Sequence, residues 1–128
     1  MLKNNANFYH TLHEQVALGL QEKEQEAAEK ENGIDVLRQK LIAQHAQGIV
    51  LETCVGTNPN RKYYDDSKIR KLIGLDWVQA NISKAQIMAD KQGGMTILNC
   101  DIHQTPFSPE SFDTVVDTFG LECCYNIE

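Results

Sequence analysis

Val50-Leu51-Glu52-Thr53-Cys54-Val55-Gly56-Thr57-Asn58-Pro59-Asn60 is the stretch that decides the fold. Ile49 to Thr53 is a short, largely apolar run and reads as a buried strand. The run enters a tight turn around Gly56. Asn58 then suits a helix N-cap, and Pro59 suits the first helical position. A strand that turns sharply into a helix aims backbone N–H groups and a helix N-terminus at a ligand.

Toward the C-terminus the pattern alternates. Asn60 to Lys71 predicts a polar helix, and Leu72 to Leu75 a short strand ending at Asp76. Val78 to Lys91 predicts a helix whose apolar residues are Ile82, Ala85, Ile87, Met88 and Ala89, broken by Gly93-Gly94. Met95 to Cys100 predicts a third strand ending at Asp101, and Phe112 to Thr118 a fourth. Strands alternating with helices imply an α/β fold, a parallel sheet with helical cover and right-handed crossovers.

Toward the N-terminus, Ile34 to Gln47 predicts a helix with Ile34, Leu37, Leu41 and Ile42 on one face, ended by Gly48. Asp35 near its start suits the helix dipole. Met1 to Asn32 predicts another helix. Phe8, Leu12, Val16 and Leu20 form a stripe at four-residue spacing, and the remainder is polar up to the Asn32-Gly33 stop. Two parts follow: a helical extension over 1–33 and an α/β domain over 34–128.

Asp76 follows Gly56 at the roughly 20-residue separation at which an acidic side chain meets an adenosine ribose. Asp101 repeats the device at the next strand end, where an adenine edge is addressed. Trp77 is placed to pack on an adenine face. All these residues fall at strand carboxyl ends, where open α/β sheets bind ligands.

Val50 to Asn58 resembles the first motif of class I S-adenosylmethionine (SAM) methyltransferases, a Rossmann-like family. Leu72-Ile73-Gly74-Leu75-Asp76 resembles their second motif. Cys100-Asp101, Thr105-Pro106-Phe107 and Ser111-Phe112-Asp113-Thr114-Val115-Val116 resemble the approach to strand four. The likeness runs from about Gly48 to Glu128. It is similar in flavour to the ubiquinone-biosynthesis C-methyltransferases and to mitochondrial methyltransferase-like proteins.

The resemblance implies a sheet order beginning 3-2-1-4 and SAM as cofactor. It implies that Glu52 and Gly56 line the methionine end, that Thr57 also meets the cofactor, and that Asp76, with Trp77 beside it, holds the ribose. It places Asp101 and Ile102 against the adenine, and Thr118 and Phe119 near the substrate mouth. Catalysis in such a family is mostly positioning, so no catalytic residue is named. A nucleotide-binding dehydrogenase fits less well, because the turn is not GxGxxG.

Two departures stand out. Cys54 and Asn58 occupy positions where small or glycine residues are expected. Asn reaches left-handed backbone, so the turn is expected to survive with added bulk beside the cofactor. In addition, the fourth strand is apolar on both faces and has no successor in the sequence, so a protein partner is expected beside Phe112 to Thr118. The expected function is methyl transfer from SAM to an unidentified acceptor by a domain completed by a second chain. The alternative is an inactive, methyltransferase-like structural subunit of a larger assembly, with a mitochondrial one among the options. Quinone precursors, lipids, small molecules and protein side chains all stay open as acceptors.

Bulk properties narrow the rest. The 128 residues suffice for one domain, and 41% hydrophobic content fits a folded core. A net charge of -6 argues against a broad nucleic-acid or phospholipid footprint. The basic group Arg61, Lys62, Lys68, Arg70 and Lys71 reads as a solvated helix face. Cys54, Cys100, Cys123 and Cys124 lack metal-ribbon spacing and read as reduced thiols of an intracellular protein, mitochondrial or cytoplasmic. No run resembles a membrane span or a signal peptide. His10 and His13 with Glu14 are one helical turn apart but have no further ligand, and His103 reads as a loop residue.

Overall fold

The computed structural model describes residues 33–121 and 124. The predicted helix before Gly33, the His10, His13 and Glu14 group, and Cys123 lie outside the described residues.

Four strands form one parallel sheet in the order β3-β2-β1-β4. They are β1 (Gly48–Thr53), β2 (Ile69–Asp76), β3 (Met95–Asn99) and β4 (Thr114–Asp117). Helix α1 (Ile34–His45) precedes β1, and α2 (Gln79–Gln92) joins β2 to β3. The register places Glu52 opposite Gly74 on one side and Val116 on the other. The expected α/β architecture and strand order are thus observed.

The sheet separates two apolar layers. On one face Val50 and Leu72 pack with Ile42 and Ala46 of the α1 region and with Tyr63 and Tyr64. On the other, Leu51, Ile73 and Leu75 are covered by Leu98, Ile102, Phe107 and Phe112. Phe107 and Phe112 meet edge to face at 4.9 Å. Period-two alternation along β1 and β2 therefore feeds both layers, as a sheet covered on both sides requires.

Three expectations are corrected. First, Asn60 to Lys71 is not a helix. It holds one 3-10 turn (Arg61–Tyr63), a turn held by Asp65, and the first residues of a β2 that starts at Ile69. Asp65 accepts from the Ser67 N–H and hydroxyl, and that local bonding competes with helix. Second, Arg61 is not a solvated cation. It is 3% exposed, donates to the Gly93 carbonyl at 2.7 and 3.1 Å, and pairs with Asp66 at 2.9 Å. Third, α1 buries Arg38 and Ile42, while Leu37 and Leu41 are exposed. The Arg38 guanidinium lies over the Tyr63 ring at 5.8 Å and pairs with Asp35, which turns the helix away from its apolar stripe.

Gly48 shows where the chain needs glycine. Its φ is +72°, and a Cβ there would lie 2.8 Å from the Asp113 Cγ. That Asp113 carboxylate accepts the Ile49 N–H at 2.7 Å and so aligns β4 with β1. Gly48→Ala is expected to cost about 2–3 kcal/mol, from left-handed strain and a displaced carboxylate, read as a shifted urea midpoint.

Candidate functional site

The site begins with the loop after β1. Cys54 (φ 49°), Gly56 (φ 59°) and Asn58 (φ 70°) all take left-handed backbone. Of the two positions that carry side chains, Asn58 is a residue that reaches this region readily and Cys54 is one that rarely does. Asn58 is buried and its Nδ2 donates to the Ala85 carbonyl of α2 at 3.3 Å. Its side chain is therefore not a helix N-cap: it pins the loop to α2. Asn58→Gly eases the backbone but deletes this bond and opens a void. A loss of about 1–2 kcal/mol in a chemical-denaturation curve is expected.

Asp76 closes the loop from the end of β2. It is 3% exposed. Its Oδ2 accepts the Gly56 N–H at 2.9 Å, and its Oδ1 accepts the Val78 N–H at 2.8 Å. The same carboxylate thus fixes the glycine turn and the start of α2. A carboxylate offers about four lone-pair sites, so two backbone bonds leave acceptor capacity for a ligand.

A small cleft opens beside this carboxylate. Asp76, Trp77, Asp101 and Ile102 line it, together with Leu75, Cys54 and His103. The structure therefore brings four of the anticipated site residues to one cleft at the strand carboxyl ends. Asp101 is also a structural cap: its Oδ1 accepts the His103 N–H at 2.9 Å and lies 2.7 Å from His103 Nδ1.

Glu52, Gly56, Thr57 and Thr118 are not among the lining residues. Gly56 nevertheless faces open space, with nothing within 4 Å of a Cβ placed on it. Glu52 lies beneath the loop, 1% exposed, accepting from Asn60 Nδ2 at 2.7 Å and from the Tyr64 hydroxyl at 2.8 Å. Burial pushes its carboxyl up to about 7, against the lowering influence of those two bonds. Asn60 Nδ2 also donates to Thr118 Oγ1 at 3.0 Å. Asn60 was not singled out from the sequence, yet it joins the ends of β1 and β4. Its Oδ1 is buried without a hydrogen-bond partner. The only available signal was its place at the end of the loop motif, and a capping Asn gives the same signal.

Among the described residues no helix is long and apolar enough to cross a membrane. No group of three His, Cys, Asp or Glu side chains among them is arranged to hold a metal.

A methyltransferase-domain family model matches residues 51–128. No curated protein matches the chain. Solved structures do. Phosphoethanolamine N-methyltransferase 1 of Haemonchus contortus, bound to phosphoethanolamine and S-adenosylhomocysteine, superposes with a TM-score of 0.70 at 11% identity, covering 91% of this chain and 26% of that one. The plantazolicin methyltransferase BpumL, bound to S-adenosylhomocysteine and a triazolic substrate analogue, gives 0.52 at 14% identity, covering 89% and 47%. A protein solved for the conversion of a disulfide bond into a thioacetal group during echinomycin biosynthesis gives 0.55 at 29% identity, covering 65% and 35%. The chain spans less than half the length of each of these three. The sheet order, the glycine turn bound to a strand-end carboxylate, and a family match across most of the α/β unit agree: this chain belongs to the class I methyltransferase-domain family and carries part of that domain.

Proposed function

We propose that the cleft binds S-adenosylmethionine, the cofactor of this family, and that the assembled domain transfers its methyl group to an acceptor. The observation that carries this reading is Asp76, a buried strand-end carboxylate that fixes the Gly56 turn and still borders the cleft. The donor set fits the cofactor. The remaining lone pairs of Asp76 accept the ribose hydroxyls, Ile102 and Trp77 flank the adenine, and Asp101 borders its edge. The open side of Gly56 admits a ligand chain against the backbone. Glu52 supports the loop from beneath, and Thr118 fixes the entry from β4.

When bound, the cofactor supplies an electrophilic methyl group. The protein's task is then to orient the donor and exclude water, which needs no nucleophile of its own. Two matched proteins of this fold are bound to S-adenosylhomocysteine, which supports the same use of the fold here.

The outer edge of β4 pairs with no strand among the described residues, and Val115, Phe119 and Leu121 beside it are 61%, 57% and 42% exposed. Further polypeptide, here assigned to a protein partner, covers this edge and supplies the acceptor pocket. The cofactor reading is tested with Trp77, the single tryptophan of the sequence, which borders the cleft. Saturable change of its fluorescence on adding S-adenosylhomocysteine is expected. No saturable change, with the cofactor also absent from native mass spectra, favours a structural subunit instead.

A further inference from the structure

All three described cysteines, Cys54, Cys100 and Cys124, border the same cleft, and none is in a disulfide. Two of them meet. The Cys54 side chain, from the loop after β1, and the Cys124 side chain, from beyond β4, both lie against Gly120 and neighbour each other. The backbone holds them there. Gly120 is buried against Cys54: a Cβ on Gly120 would lie 2.8 Å from the Cys54 Sγ and 2.8 Å from Asp117 Oδ1. The Cys124 Sγ lies 3.8 Å from the Gly120 carbonyl. Asp117 anchors the same segment, accepting from the Thr53 hydroxyl at 2.8 Å and from the Leu121 N–H at 3.3 Å. Cys100 is engaged elsewhere, with the carbonyls of Asp101 and Gln104 at 3.4 and 3.5 Å from its Sγ.

We propose that Cys54 and Cys124 form a dithiol modification site that reacts with small-molecule disulfides, and that the resulting bridge fastens the segment after β4 across the β1 loop and narrows the cleft. The bridge itself stands independently of the cofactor reading; only its effect on ligand binding rests on that reading.

The chemistry is two successive thiol–disulfide exchanges. The Cys124 thiolate attacks one sulfur of a small disulfide such as oxidised glutathione. A mixed disulfide forms, and the departing thiolate takes up the proton that Cys124 lost. Cys54, as thiolate, then attacks the Cys124 sulfur. The Cys54–Cys124 bond forms, and the second small thiol leaves and is protonated in turn. Two protein thiols are oxidised and one small disulfide is reduced to two thiols. Cys124 attacks first because burial, with the neighbouring Cys124 sulfur adding to it, pushes the Cys54 thiol well above its ordinary range. The second exchange is correspondingly slow.

The test treats the whole chain with oxidised glutathione at about pH 8. Non-reducing peptide mapping and S-adenosylhomocysteine titration of Trp77 fluorescence follow. A Cys54–Cys124 linked peptide is expected, with affinity weakened by about tenfold or more and restored by dithiothreitol. Cys124→Ser is expected to abolish both effects, and Cys100→Ser to preserve them. A bridge to Cys100 or Cys123, or a mixed disulfide that never resolves, overturns the site. A mapped Cys54–Cys124 bridge with unchanged affinity overturns the narrowing. If the reduced chain does not bind S-adenosylhomocysteine at all, the cofactor reading fails, while the peptide map still decides the bridge.

Discussion

Replacing Asp76 with Ala is expected to abolish measurable S-adenosylhomocysteine binding and to lower stability by about 3–5 kcal/mol. The stability loss follows from the two backbone amides that the carboxylate satisfies, Gly56 N–H at 2.9 Å and Val78 N–H at 2.8 Å. Hydrogen bonds to charged groups contribute about 1.5–3 kcal/mol each, and a buried donor left unsatisfied forfeits its full desolvation cost. Such a loss is a large share of the stability of a small domain. Asp76→Asn is therefore the sharper variant. It keeps the shape and one acceptor oxygen but turns its amide group toward the other backbone N–H. Roughly half the stability loss is expected, with the chain still folded by circular dichroism. Affinity for S-adenosylhomocysteine, followed through Trp77, is expected to fall by about 100-fold, since the ribose acceptors are disrupted. A folded Asp76→Asn chain that binds as tightly as wild type removes Asp76 from the ribose role and leaves it as a purely structural clasp.

Asp76 was legible in the sequence because its signal is local: a carboxylate directly after an apolar strand, at a set distance from a glycine turn. The same holds for Asp101 and Trp77, which also reach the cleft, whereas Ile102 was placed there only by the family resemblance. Sheet order was legible for a related reason, since alternating elements leave few parallel topologies. What misled was composition without tertiary context. Asn60 to Lys71 is polar and lacks glycine, so it reads as helix. Asp65 bonds Ser67 instead, and Arg61 leaves solvent to bind the Gly93 carbonyl across the fold. In α1 the apolar stripe was visible, but its orientation depends on Arg38 meeting Tyr63, a contact between elements with no periodicity of its own. The Cys54 and Cys124 contact was equally invisible, because it depends on a close approach at Gly120.

Glu52 carries the second large effect, and it is one of pH. Burial holds its folded-state carboxyl at about 7, against an ordinary value of 4.5. The raised value means that the folded chain keeps a proton which the unfolded chain has released. Stability is therefore highest below about pH 4.5 as far as this group is concerned, and it falls as pH rises through about 7, by about 3 kcal/mol in all. Glu52→Gln removes the ionisation but keeps the geometry. Its carbonyl accepts from Asn60 Nδ2, and its amide donates to the Tyr64 oxygen, replacing the bonds now measured at 2.7 and 2.8 Å. Urea unfolding at a series of pH values is expected to show Glu52→Gln overtaking wild type as pH passes about 7. The contributions of the other titrating groups cancel in that difference. Curves that stay parallel from pH 5 to 8 would show that Glu52 titrates alike in both states. The effect need not end at stability, because Asn60 bridges Glu52 to Thr118. An ionised Glu52 holds Asn60 with its amide toward the carboxylate, and so fixes the hydrogen bond that Thr118 receives at the end of β4. A protonated Glu52 can donate, which allows Asn60 to turn its otherwise partnerless Oδ1 toward it. The hydrogen bond that Thr118 receives is thus tied, through Asn60, to the Glu52 carboxyl.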